Sequence, residues 1–152
     1  MRIWVDADAC PVVIKEILYR AAIRVGVELI LVANKLLKIP LSPLIRCVRV
    51  PSGVDAADRH IASAVERGDL VITADVPLAA QVVANDGIAL NPRGELYTAD
   101  NVREHLARRD LMDELRGLGL AGGGPAPFNA TDKRAFASKL DTVLTRALSG
   151  RS

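Results

Sequence analysis

Aromatic residues are nearly missing from this chain: one Trp, two Tyr and two Phe make up 3% of it. So sparse a set excludes an aromatic platform on which splayed nucleic-acid bases would be read in sequence. Cysteine is scarcer still. Cys10 and Cys47 stand alone with no metal-ligand spacing, which excludes a disulfide framework and a zinc ribbon. Both are expected as free thiols, and Cys10, with no well-placed His to activate it, as a packing residue. No run reaches the roughly 18 uninterrupted apolar residues that a membrane span requires, and the opening MRIWVDADA has no apolar secretory core. A cytoplasmic protein without a membrane partner is therefore expected. Charge of one sign is also lacking: 20 Lys and Arg against 18 Asp and Glu leave +2, below what a nucleic-acid-coating protein carries. The small positive excess lies in residues 100–152, which hold 9 basic and 7 acidic side chains.

What is present is globular composition, half apolar and a quarter charged over 152 residues. One domain over 1–152 is expected, with an α/β core in 1–97 and two further helices in 98–152. RIWVD reads as a strand, and PVVIKEILYRAAIRVG as a helix with proline in its first turn and Gly26 beyond its end. The alternation recurs. VELILVAN and IRCVRV read as strands, the second at an edge or with a half-exposed face from its alternating arginines. DAADRHIASAVERG reads as a helix closed by Gly68, DLVITAD as a strand, PLAAQVVANDG as a helix, IALN as a strand, and NPRGELY as a turn. This order calls for a three-layer α/β/α sandwich on a mostly parallel sheet. The tail predicts a charged helix over 98–119, a flexible connector AGGGPAP, and a last helix with Ala137, Leu140, Val143, Leu144 and Leu148 along one face. Residues 36–45, LLKIPLSPLI, fit either a pairing surface between copies or a core contact.

In such a sheet, ligands gather outside the carboxyl ends of the strands. Asp6 and Asp8 follow the first strand, Asp75 follows LVITA, and Asp55 and Asp58 open the helix after VRVPSG. With extended backbone, Asp6 and Asp8 would share a face with Cα atoms about 6–7 Å apart. Asp55 and Asp58 would have Cβ atoms about 5–6 Å apart on a helix. Carboxylates about 4 Å apart repel by roughly 4 kcal/mol per pair at intermediate dielectric, so their convergence requires a cation such as Mg²⁺ or Mn²⁺. Taken singly, each Asp could serve only as a helix cap or macrodipole partner. Two strand-to-helix edges with a pair of acids and a third with Asp75 exceed what capping needs. Asn34 and Lys35 lie at the same edge and are candidate substrate contacts, as are Arg93 in its turn and the arginines of the helix over 103–116, which could position a phosphate backbone. His60 and His105 lack ligand spacing and are expected in solvated or capping roles. The glycines at 122–124 lack the following Lys-Ser/Thr of a phosphate loop.

VDADACPV, VAN, VDAADRHI, GDLVITADVPLA, LNPRGELYT and the late GGGPAPF together resemble the YaiI/YqxD family of bacterial proteins over nearly the whole chain. The resemblance implies a fold similar to the PIN-like nucleases, whose acidic residues bind Mg²⁺ or Mn²⁺ for phosphodiester hydrolysis. By that likeness Asp6 matches the acid ending the first strand and Asp75 the acid of a T-x-D pattern. Asp55 or Asp58 stands where PIN domains place a central helix acid, usually Glu, and Asp8 is the family's own addition. The reading is a metal-dependent nuclease for RNA or single-stranded nucleic acid, with Asp6, Asp8 and Asp75 catalytic and all five aspartates at the metal. Two alternatives stay open. DADAC could supply the nucleophile Asp6 and acid Asp8 of a haloacid-dehalogenase-like phosphatase, although Cys10 replaces the usual Thr or Val. Or the acids could serve a metal- or RNA-binding module without turnover. An oligomer is compatible with all three.

Overall fold

The computed structural model describes residues 1–53, 55–120 and 126–149. The connector glycines at 122–124 lie outside the described residues. The sheet has six strands: β1 (Arg2–Asp6), β2 (Glu28–Ala33), β3 (Ile45–Arg49), β4 (Leu70–Ile72), β5 (Ile88–Leu90) and β6 (Leu96–Tyr97). Their spatial order is β3-β2-β1-β4-β5-β6, all parallel except β6, which runs antiparallel beside β5. β1 and β2 are apolar on both faces, as strands covered on two sides must be.

Two clusters of buried side chains fill the space above and below. Ile3, Val5, Leu29, Leu31 and Ile72 face one side, where they meet Ile14 and Leu18 of α1 (Val12–Val25) and Phe136, Leu140 and Leu144 of α5 (Ala130–Ser149). Trp4, Ile30, Val32 and Val71 face the other, against Ile61 of α2 (Ala56–Ala64), Leu78 and Val82 of α3 (Val76–Ala84) and Val102 of α4 (Ala99–Gly117). This is the expected three-layer α/β/α sandwich. The two C-terminal helices take opposite faces.

Strand order locates the functional edge. From β1 the chain winds outward through β2 to β3, then returns to lay β4 on the other side of β1. The crevice between β1 and β4 is thus the switch point, where the carboxyl ends of neighbouring strands feed helices on opposite sides.

Several local expectations are corrected. α2 ends at Ala64 rather than at Gly68: Val65 turns extended, and the Glu66 amide donates to the Asp69 carboxylate (2.9 Å). Asp69 is only 3% exposed and also accepts from the Arg2 amide (2.9 Å) and Trp4 Nε1 (3.1 Å), locking the opposite edge of the sheet. NPRGELY is a turn only to Glu95, and Leu96–Tyr97 then pair as β6. Residues 36–45 divide: Leu37, Ile39 and Leu44 pack on the core, while Leu36 and Leu41 are exposed. No helix among the described residues is long and apolar enough to cross a membrane.

Candidate functional site

All five aspartates come to the carboxyl edge of the sheet, but not in the arrangement that extended backbone implies. Directly after Asp6 the chain makes a 3-10 turn, Ala7–Ala9, within the five residues that carry it from the sheet edge to α1. Asp8 therefore leaves the line of β1, and its Oδ2 accepts from the Asn34 amide at the end of β2 (2.7 Å). Asp6 stays on the Trp4 face, toward α2 and α3. Asp55 stands at the N-cap position of α2 with φ 65 and no side-chain capping bond. A left-handed residue other than glycine costs about 1 kcal/mol or more, the kind of backbone strain that clusters at functional sites. Asp58 lies one turn in. Of the five, Asp75 alone caps a helix through its side chain, accepting from the Leu78 amide (2.8 Å).

Asp55, Asp58 and Asp75 each bring a carboxylate oxygen within 4.8 Å of the others. Asp6 and Asp8 border the adjoining hollow, which they share with Asn34, Asp55 and Asp58. The tightest set thus comes from the first turns of α2 and α3, rather than from Asp6 and Asp75. Burial first, then the facing Asp75 carboxylate, then Asp6 and Asp55, push Asp58 up to about 7. Burial likewise raises Asp6; the Asp75 and Asp8 charges add to the rise and a bond from Thr73 opposes it. Three oxygens so close, one of them protonated near neutrality for want of a counter-charge, are a donor set suited to a hard divalent cation.

Thr73 was not legible as a site residue, yet it ties the cluster together. Its hydroxyl donates to Asp6 Oδ2 (3.4 Å) and accepts from the Asp75 amide (3.0 Å), and it is 1% exposed. A Thr directly after an all-buried strand and two residues before an Asp is the signal that marks it. Arg59 was likewise not singled out, whereas Arg109 is one of the charged-helix arginines expected to meet a substrate backbone. Both line a cavity of about 500 Å³ with Asp55, Asp58, Asp75 and Gln81.

The remaining candidates sort by contact. Asn34 borders the acidic hollow, and Lys35 is exposed beside it. Arg93 is a correction: its guanidinium is committed to Asp132 (2.8 Å) and the Ala126 carbonyl, and lies over the Phe128 ring, so it anchors the start of α5. His60 leans on Trp4 (6.2 Å between centroids), and His105 contacts Glu95 (2.7 Å) and the edge of Tyr97, so both are packed rather than solvated. Cys10 is a buried free thiol, pushed up to about 12 by burial, as a packing residue should be.

Fold and site together define a class: a three-layer α/β protein with an acidic crevice at the switch point of a mostly parallel sheet. Within that class the chain belongs to the YaiI/YqxD family, since residues 4–146 match the family described as "Uncharacterized BCR, YaiI/YqxD family". It is 61% identical over 146 residues to a UPF0178 protein of Syntrophotalea carbinolica, covering 96% of this chain and 99% of that one. A UPF0178 protein of Bordetella avium is 59% identical over 96% of this chain and 95% of its own, and one of Shewanella amazonensis 56% identical over 96% and 98%. No solved structure matches the chain.

Proposed function

We propose that the protein is a Mg²⁺- or Mn²⁺-dependent hydrolase of phosphodiester bonds, a PIN-like nuclease of the cytoplasm acting on RNA or single-stranded nucleic acid. The observation that carries this reading is the approach of Asp55, Asp58 and Asp75 to within 4.8 Å at the switch-point edge. These three would hold the ion, with Asp6 and Asp8 beside them. When bound, the ion supplies Lewis acidity at a phosphoryl oxygen and acidifies the attacking water.

The chain's own groups prepare that chemistry. Asp58, pushed up to about 7 by burial and the neighbouring carboxylates, would give up its proton on holding a cation. Asp75 keeps Oδ1 on the Leu78 amide, which fixes its rotamer beside Asp55 and Asp58. Thr73 orients Asp6 and the Asp75 backbone together. Because the cleft lining carries no aromatic side chain, binding rests on the sugar-phosphate backbone rather than on bases.

Labelled RNA incubated with Mn²⁺ and wild-type protein, beside Asp58→Asn and Asp75→Asn, tests the proposal. Cleavage by wild type that both variants abolish supports it. Cleavage surviving both substitutions points to a contaminant. RNA binding without turnover in any divalent metal would favour the non-catalytic binding module, and a trapped phosphoryl group on Asp6 the phosphatase.

A further inference from the structure

The helix α1 is apolar on two sides. Ile14, Leu18, Ala21 and Ala22 are buried in the core between the sheet and α5. At about 3.6 residues per turn, the direction opposite them runs through Val12, Glu16, Arg20 and Ile23, the side on which a surface helix carries its charge. Yet Val12 is 68% exposed there and Ile23 52% exposed, about 16 Å apart along the helix. A helix apolar on both sides is one that is covered on both. None of the described residues covers this one. Beside the stripe, Leu37 and Lys38 of the loop after β2 close a hollow of about 280 Å³ with Val12, Lys15, Glu16 and Tyr19. Leu36 and Leu41 of the same loop also stand in solvent.

From this surface we infer that a second copy of the chain docks on α1, the two helices running antiparallel about a two-fold axis at mid-helix. An interface between identical copies must hold both halves of every contact on one surface. This one does. Glu16 and Arg20 are both exposed, one turn apart on the same stripe, so antiparallel pairing sets the acid of each copy against the base of the other, twice. Parallel pairing would oppose like charges instead. The apolar ends match in the same register: with Glu16 facing the partner's Arg20, Val12 comes opposite the partner's Ile23, and the hollow beside Val12 has room for that side chain. A foreign protein would require only one sign of charge, and a ridge or a hollow rather than both. Because α1 covers the face of the sheet away from α2 and α3, pairing leaves the acidic crevice open, and the inference is independent of the reaction proposed for it.

Sedimentation velocity over a concentration series of the full chain tests the inference. Wild type should be a dimer at micromolar concentration, within the range that interfaces of standard size reach. Ile23→Asp places a charge without a partner in the interface from both copies and should raise the dissociation constant about a hundredfold. Glu16→Lys should raise it about tenfold, and adding Arg20→Glu to Glu16→Lys should restore it. Leu118→Asp, on a side chain 67% exposed just past α4, is the control and should change nothing. Each of these side chains is exposed in the single chain, so the fold should survive; if Ile23→Asp nevertheless unfolds, the charge swap carries the test alone. Wild type that stays monomeric through the micromolar range, assembly beyond a dimer, or a dimer that folded Ile23→Asp leaves intact overturns the inference. So does a dimer lost in the Leu118→Asp control, or a double variant that associates no better than Glu16→Lys.

Discussion

Replacing Asp58 by Asn keeps the size of the side chain and removes one of three crowded charges. At the 4.8 Å limit that bounds the cluster, a pair of full charges repels by about 3.5 kcal/mol at an effective dielectric of 20. Asp58 is partly exposed, so solvent and salt reduce the relief to about 1–2 kcal/mol. Losing an acid from the first turn of α2 takes back about 0.3–1 kcal/mol. Metal-free Asp58→Asn protein should therefore be more stable than wild type at pH 8 by about 1 kcal/mol, a rise in Tm of about 2–4 °C. The advantage should depend on pH in a defined direction. Folding raises Asp58 from 3.8 to about 7, so between those values the native state holds a proton that the unfolded chain has lost. Wild-type stability from this group is then present below about 4 and declines as pH rises through about 7. Asn lacks that decline, so the gap between the proteins should shrink at pH 5. Thermal melts in chelator at pH 5 and pH 8, repeated with Mn²⁺, provide the assay. A metal-free variant less stable than wild type at pH 8, or one that Mn²⁺ stabilises as strongly as wild type, refutes the reasoning.

Three further outcomes follow from the packing. Gly94 has φ +88, and a Cβ there would stand 2.5 Å from the Ala135 carbonyl carbon, so Gly94→Ala should cost about 2 kcal/mol or more in urea unfolding by forcing α5 off the β5–β6 turn. Asp69→Ala strands the Arg2, Trp4 and Glu66 donors and should cost about 3 kcal/mol, and the emission of the only Trp should shift to the red as Trp4 loosens. Cys10, buried and pushed up to about 12, should resist a thiol reagent in the native protein and react only on unfolding, whereas the more accessible Cys47 should react first.

The order of strands and helices was legible because each apolar run is short and bounded by Gly, Pro or Asp, and the layer architecture follows from that alternation. β6 was not, since two antiparallel residues carry no periodicity. On α5 the pattern located Leu140, Val143 and Leu144 but missed the fully buried Phe136, because helical spacing defines a face and not how far along the helix that face stays covered. At the site, the gathering of acids at one edge was readable from where each strand stops. Which acids come within ligand distance was not. That depends on the strand order, which places β4 beside β1, and on the turn that carries Asp8 toward Asn34. Arg93 misled for the same reason: its turn context says nothing of Asp132, 39 residues away in sequence, which α5 brings to its guanidinium.

The proposed chemistry requires that Asp55, Asp58 and Asp75 together hold a divalent cation. Anomalous diffraction from crystals soaked in Mn²⁺ addresses it directly. The expected result is a single strong peak between the three carboxylates, with oxygen ligands at about 2.0–2.2 Å and Asp75 still capping α3 through its other oxygen. No peak at saturating Mn²⁺, with Asp58 left protonated against Asp75, would contradict it.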